Sequence, residues 1–273
     1  MILDGKKVSE KIYEELKKEI GGLKAKGIRP FLAVILVGEA PASLLYVKKK
    51  EEKAETLGIG FKLYHFPAIV LEPDVLELIA DLNCDPNIHG IIVQLPLPKN
   101  IDTNKILKSI DSQKDIERVS PAAQAILEIL RFYNFIKISA RSHNIDLKNK
   151  KIIIVGRGKL VGQPLEKILN EQHLNIEICD SETTDLKSKT LSADIIISGV
   201  GEPGLITLDM VSKKAIVIDA GTAESSGKLT GDVDPGVYQK VSAYSPVPGG
   251  VGPVTVACLY KNLIEAAKKL RRT

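Results

Sequence analysis

Tryptophan is absent from this sequence, and aromatic residues make up only 4% of it. So few rings leave little material for the base-stacking platforms of single-strand nucleic-acid binders. Cysteine is nearly as scarce. Cys84, Cys179 and Cys258 are far apart, odd in number and in no CxxC pair, which excludes a disulfide framework and a zinc site and predicts three reduced thiols, mostly buried. No other metal-ligand spacing stands out. No apolar run approaches the roughly 20 residues needed to cross a bilayer. Met1-Ile-Leu-Asp-Gly-Lys-Lys lacks the basic-then-apolar layout of a signal peptide, so the expected location is the cytoplasm. Basic blocks are missing too. Thirty-eight Lys and Arg stand against 34 Asp and Glu, a net charge of +4, and neither nucleic acid nor a membrane is an expected partner. The small surplus suits small anionic ligands, or simply a mixed solvated surface.

What is present is an alternation of helical and strand patterns along nearly the whole chain, with 44% hydrophobic residues. That rhythm predicts an α/β protein with largely parallel sheets, in one large domain or two ordinary ones. Val8, Ile12, Leu16, Ile20 and Leu23 recur at helical spacing over residues 7–26. Phe31-Leu-Ala-Val-Ile-Leu-Val-Gly is a continuous apolar run ended by glycine, as a buried parallel strand requires. A helix over 41–58, strands from Gly60 to Phe66 and from Gly90 to Leu95, and an amphipathic segment between those strands complete the first half. A fresh unit starts at Lys150-Lys-Ile-Ile-Ile-Val-Gly. A helix over 163–171 and strands at Asn175 to Cys179, Ala193 to Ser198 and Ala215 to Gly221 follow, the rhythm of a dinucleotide-binding fold. Val254 to Leu270 reads as a helix with a basic end. The boundary is expected between 120 and 148.

Four places carry chemistry. Gly156-Arg157-Gly158-Lys-Leu-Val161-Gly162 follows a strand and precedes a helix, so its backbone N–H groups can approach a pyrophosphate. Its spacing is one residue longer than the common fingerprint, and the bland alternative is an ordinary strand–helix turn. Where the second strand ends, Asp180 or Glu182 could accept from a ribose 2′-hydroxyl, whereas Arg157 with Ser181 could hold a 2′-phosphate. These acids could equally be solvated loop residues. Tyr46 and Lys50, i and i+4 on a helix, share a face. A ring to stack on a flat heterocycle beside an ammonium suits a ring substrate with developing charge. Crowding by Lys48, Lys49 and Lys53, or partial burial, would lower a lysine pKa. A plain basic helix face is the competing reading. Gln94 ends a buried strand, where open α/β sheets bind ligands, and can hydrogen-bond a lysine or merely cap backbone groups. Three prolines and three glycines from Pro246 to Pro253 fix an irregular backbone against which a ligand can pack.

In this order and at these distances, the segments resemble the bifunctional methylene-tetrahydrofolate dehydrogenase/methenyl-tetrahydrofolate cyclohydrolase family. The likeness also rests on Leu32-Ala-Val-Ile-Leu-Val-Gly-Glu-Ala-Pro41-Ala-Ser43, Val93-Gln-Leu-Pro-Leu-Pro98, Lys114-Asp115, Gly201-Glu-Pro-Gly204 and Gly227-Lys-Leu-Thr-Gly-Asp232-Val. The resemblance implies an α/β chain of two domains around a cleft: a parallel-sheet folate domain over 1–135, with a C-terminal helix over 253–273 packing back on it, and a Rossmann-type dinucleotide domain over 136–252. It implies oxidation of 5,10-methylene-tetrahydrofolate with NADP, hydrolysis of the methenyl product to 10-formyl-tetrahydrofolate, and a homodimer.

Carried over by position, Tyr46 would orient the folate ring, Lys50 would assist attack of water, and Gln94 would hold Lys50. Asp115, Glu117, Pro248 and Gly249 would contact the folate. Gly156, Arg157, Gly158, Val161, Gly162, Ser181, Gly201, Gly250, Gly252 and Thr255 would hold the cofactor, with Arg157 and Ser181 selecting NADP; NAD stays possible.

The sequence departs from the family in one region. Glu117 stands where the family has an aspartate, and the added methylene moves the carboxylate by about 1.5 Å. Arg118 replaces a glycine and is placed to alter a turn or pair with Glu117. Phe132-Tyr-Asn-Phe-Ile-Lys-Ile-Ser-Ala-Arg-Ser-His replaces a Pro-Cys-Thr-Pro-like element that normally lines the nicotinamide side. A NAD-using or single-activity variant, or a degenerate non-catalytic folate- or nucleotide-binding protein, is the alternative this region leaves open.

Overall fold

The apolar spacing near the N-terminus becomes helix α1, Gly5–Lys24, and Val8, Ile12, Leu16, Ile20 and Leu23 are all buried along one stripe. The computed structural model describes residues 1–138, 145–146, 150–172, 174–225 and 228–270. The chain runs on through β1 (Phe31–Val37), α2 (Pro41–Leu57), β2 (Gly60–Phe66), α3 (Glu72–Cys84) and β3 (Gly90–Val93). Pro41 starts α2 at a position where its missing N–H costs nothing. Gly58 ends it at φ 67°, a left-handed conformation in which its N–H reaches back to the Ala54 and Glu55 carbonyls. Helices α4 (Thr103–Ser109) and α5 (Pro121–Phe132) follow, capped by the side chains of Asp102 and Ser120. Neither was expected from the sequence, and α5 occupies part of the segment read as the boundary.

A short antiparallel pair, β4 (Lys137–Ile138) and β5 (Ile145–Asp146), precedes the second βα series. That series is β6 (Ile152–Val155), α6 (Gly162–Asn170), β7 (Ile176–Cys179), α7 (Leu186–Leu191), β8 (Ile195–Ser198) and β9 (Ile216–Asp219). A hairpin of β10 (Ala223–Ser225) and β11 (Lys228–Thr230), then β12 (Ala243–Tyr244) and α8 (Val251–Lys269), finish the chain. Of the stretch 132–143, residues 139–143 lie outside the described residues, as does Gly227 of the Gly227–Asp232 motif.

The chain divides into two units, Ile12–Arg118 with Leu259–Thr273, and Met1–Lys11 with Val119–Cys258, so α1 and α8 each give residues to both. In the first, a parallel sheet of order β2-β1-β3 packs Ala33, Ile35, Val37, Ile91 and Val93 against Val75, Ile79, Leu82 and Ile106 of its helices. In the second, five parallel strands lie in the order β12-β9-β8-β6-β7. β6, β8 and β9 are almost entirely isoleucine and valine and are buried throughout, since strands covered on both faces need no polar alternation. From β6 the chain steps first to β7 on one side and then to β8 on the other. Order thus reverses at β6, the point at which open α/β sheets leave a crevice beyond their carboxyl ends. Cys179 and Cys258 are buried and Cys84 is exposed.

Candidate active site

Helix α2 and strand β3 of the three-stranded unit bring together residues 44 apart in sequence. Lys50 Nζ donates to Gln94 Oε1 at 2.7 Å, and Gln94 Nε2 donates onward to the Leu95 carbonyl at 2.8 Å. Gln94 is itself fixed by its N–H on the Ile35 carbonyl at 2.8 Å, which extends the pairing of β3 with β1. Gln94 therefore both caps a backbone carbonyl and holds the lysine. Desolvation by burial lowers the Lys50 pKa, and the charge of Glu117 opposes it. Crowding by neighbouring lysines is not the cause: Lys49 lies over the Tyr46 ring at 5.8 Å and Lys53 over the Tyr13 ring at 4.3 Å. The Tyr46 ring is half exposed. Tyr260 of α8, fully buried, donates its hydroxyl to the Lys50 carbonyl. The sequence reading missed this tyrosine, whose only signal is one polar ring in an apolar helix.

Asp115 and Glu117 reach the same neighbourhood because Lys114 and Asp115 run beside β3, where Ile91 N–H donates to the Lys114 carbonyl at 2.9 Å. Lys114 is buried and anchors this segment by donating to the Leu82 and Asp85 carbonyls at 2.9 and 2.6 Å. Burial raises the Asp115 carboxyl, partly offset by the N–H of Glu117 at 3.1 Å. Glu117 stays open to water on one side, yet surrounding protein raises its carboxyl, with Lys50 opposing and Asp115 adding. Arg118 acts on Asp115.

The five-stranded unit carries the glycine turn at the β6 carboxyl end. Gly156 has φ 100°, a conformation that favours glycine. A Cβ at Gly162 would stand 2.0 Å from the Gly156 carbonyl oxygen, so only hydrogen fits where α6 begins. Arg157, Gly158, Lys159 and Leu160 are exposed. Among the described residues, the N–H groups of Arg157 to Val161 have no protein acceptor. Free donors beside a basic side chain at a helix N-terminus fit a phosphate. Arg157 pairs with Glu166 at 3.4 Å. Ser181 is exposed beyond β7. Asp180 shapes its own turn, Oδ1 accepting from Glu182 N–H at 3.1 Å. Gly201, at φ 86°, follows β8. Pro248, Gly249 (φ 105°), Gly250, Gly252 and Thr255 belong to the same unit. There the Gly249 carbonyl accepts Gly5 N–H at 2.9 Å, Gly250 is packed within 2.5 Å of the Pro246 carbonyl as a Cβ would meet it, and Thr255 Oγ1 donates to the Val251 carbonyl at 3.1 Å. Replacing Gly162 by alanine is expected to cost about 1–3 kcal/mol through overpacking against backbone. Urea denaturation would read that loss.

The fold and these residues define an α/β protein with a parallel sheet built to take a dinucleotide and a separate lysine–glutamine centre. Two family models match it: "Tetrahydrofolate dehydrogenase/cyclohydrolase, catalytic domain" over residues 3–117 and "Tetrahydrofolate dehydrogenase/cyclohydrolase, NAD(P)-binding domain" over 133–271. The bifunctional protein FolD of Nautilia profundicola is 45% identical, covering 99% of this chain and 98% of that protein. The crystal structure of the bifunctional FolD methylenetetrahydrofolate dehydrogenase/cyclohydrolase of Campylobacter jejuni superposes with a TM-score of 0.91 at 39% identity, covering 100% of this chain and 99% of that one. The Trypanosoma brucei dehydrogenase-cyclohydrolase, solved with NADP and an inhibitor, gives 0.88 at 30% identity, covering 100% and 99%. The chain belongs to the tetrahydrofolate dehydrogenase/cyclohydrolase family.

Proposed function

We propose that the Lys50–Gln94 centre serves hydrolysis and the β6–α6 turn serves hydride transfer, in an enzyme that performs both steps. The enzyme oxidises 5,10-methylene-tetrahydrofolate to the methenyl form with NADP and hydrolyses that form to 10-formyl-tetrahydrofolate. In the first step a hydride leaves the one-carbon bridge. In the second, water adds to the methenyl carbon and one proton is released. NADP, when bound, supplies the hydride acceptor.

The 2.7 Å bond between Lys50 and Gln94 carries the assignment. A lysine whose pKa burial lowers is a usable base at the attacking water. Gln94 accepts from it without adding charge, so it orients Lys50 and leaves the pKa low. Tyr46 stacks on the folate ring and aligns it, which hydride transfer needs more than acid–base help. Asp115 and Glu117 hold polar groups of the folate, and Pro248 and Gly249 pass beside it. The free N–H groups of Gly158 and Val161 face the pyrophosphate, Gly156 and Gly162 keep the turn tight enough for its approach, and Gly201, Gly250, Gly252 and Thr255 complete the cofactor site. Arg157 and Ser181 take the 2′-phosphate, both being exposed beside the β6–α6 turn and the end of β7.

In this reading residues 1–135 with helix 253–273 serve the folate and 136–252 the dinucleotide, whereas the compact units divide at Lys11, Arg118 and Cys258. The chain is cytoplasmic and works as a homodimer, which sedimentation would read as twice 29.7 kDa. A spectrophotometric assay of methylene-tetrahydrofolate oxidation, first with NADP and then with NAD, tests the reading, and binding without turnover would refute it. Arg157→Ala should reduce the preference for NADP over NAD by about tenfold, the worth of one charge-assisted contact. An unchanged ratio of kcat/KM values would remove Arg157 from that role.

A further inference from the structure

Two buried aspartates in the five-stranded unit lie outside the roles assigned so far. Asp219 ends β9 and is 1% exposed; Asp232 follows β11 and is fully buried. The Asp232 carboxylate accepts four hydrogen bonds, from Ser198 Oγ at 2.7 Å and from three consecutive N–H groups, those of Val200 (2.8 Å), Gly201 (2.8 Å) and Glu202 (2.9 Å). One side chain thus takes up three successive N–H donors of the loop after β8. The Asp219 carboxylate in turn accepts from the N–H groups of Gly221 at 3.0 Å, Asp232 at 3.1 Å and Val233 at 3.0 Å. The two acids interlock with two glycines: a Cβ at Gly221 would stand 2.0 Å from Asp232 Oδ1, and one at Gly231 would stand 2.0 Å from Asp219 Oδ2.

The loop held in this way abuts the glycine turn. A Cβ at Gly156 would meet Val200 Cγ2 at 2.9 Å and the Gly199 oxygen at 3.0 Å, and a Cβ at Gly199 would meet Val161 at 2.9 Å. β6 and β8 are neighbours at the reversal of strand order, so their loops wall the crevice where such sheets bind ligands.

We propose that Asp232 is a positioning residue for the dinucleotide: its carboxylate fixes residues 200–202 as one wall of the cofactor site, and Asp219 fixes Asp232. The inference rests on the assignment of the β6–α6 turn and Gly201 to NADP. Four converging donors require a carboxylate, because an amide of the same shape has one acceptor oxygen and turns donors toward at least one of those N–H groups.

The test uses the full chain carrying Asp232→Asn, with NADP affinity measured by calorimetry and both reactions assayed. The dissociation constant for NADP is expected to rise about tenfold, the equivalent of one charge-assisted hydrogen bond. KM for NADP should follow it, kcat at saturating NADP should change far less, and methenyl hydrolysis should keep its rate. An unchanged dissociation constant overturns the proposal. So does a parallel loss of NADP binding and hydrolysis, the mark of general destabilisation. Should Asp232→Asn fail to fold, Ser198→Ala removes one of the four donors without stranding another. A roughly threefold weaker NADP affinity with hydrolysis intact supports the clamp, and an unchanged affinity overturns it. If the parent chain itself binds no NADP, the functional reading fails first and the clamp falls with it; equal binding by parent and variant sinks the clamp alone.

Discussion

Replacing Lys50 by glutamine lowers methenyl-tetrahydrofolate hydrolysis by at least about a hundredfold, the usual worth of a positioned proton-transfer group, and lowers hydride transfer far less. The asymmetry follows from the chemistry. Hydride loss from the one-carbon bridge asks for alignment, which Tyr46 and the cofactor site provide, whereas attack of water asks for a place to put a proton. The Lys50→Gln side chain is one bond shorter and stays polar, but it accepts no proton. A companion substitution separates base from bystander. Gln94→Glu puts a carboxylate 2.7 Å from the ammonium, which favours the charged lysine and moves the rising limb of hydrolysis against pH upward. Stopped measurements of hydrolysis across pH read both effects. A Lys50→Gln rate equal to that of the parent, or a Gln94→Glu profile that does not move, would remove Lys50 from the role.

The second large effect is on stability. Burial holds the Asp219 carboxyl at about 6 against an ordinary 3.8, with the Asp232 charge adding to the rise and the N–H groups of Asp232, Val233 and Gly221 opposing it. Tyr238 faces the same group, and burial first and then Asp219 push its hydroxyl up to about 12. Below pH 4 Asp219 is protonated in folded and unfolded chains alike. Between about 4 and 6 the unfolded chain gives up this proton and the folded chain keeps it, so stability falls as pH rises. Above 6 the loss is complete. The change from 3.8 to about 6 is worth about 3 kcal/mol. Unfolding free energies from urea titrations at pH 4 and pH 7 should therefore show Asp219→Asn losing about 3 kcal/mol less than the parent over that interval. Equal losses would refute the assignment.

Much of the fold can be read from local pattern. Phe31–Val37 and Ile152–Val155 are continuous apolar runs, and a strand buried on both faces leaves that signature whatever surrounds it. Helix α1 shows itself through five buried residues at helical spacing. α7 is six residues and β12 two, too short for any period to emerge. α5 is a different case, since Ser120 and Pro121 are a clear start signal followed by a strongly apolar face.

The site divides along the same line. Spacing along the chain is enough to put Tyr46 and Lys50 on one helix face, to make the Gly156–Gly162 turn join a strand to a helix, and, through the order of the motifs, to mark the family the chain resembles. Those are matters of spacing along one backbone. Packing is what brings Lys50 to Gln94 across 44 residues, makes burial rather than lysine crowding lower its pKa, and gathers three N–H groups after β8 on Asp232. Each of these depends on which donor a side chain finds and how much water it loses, and both are fixed when distant segments pack.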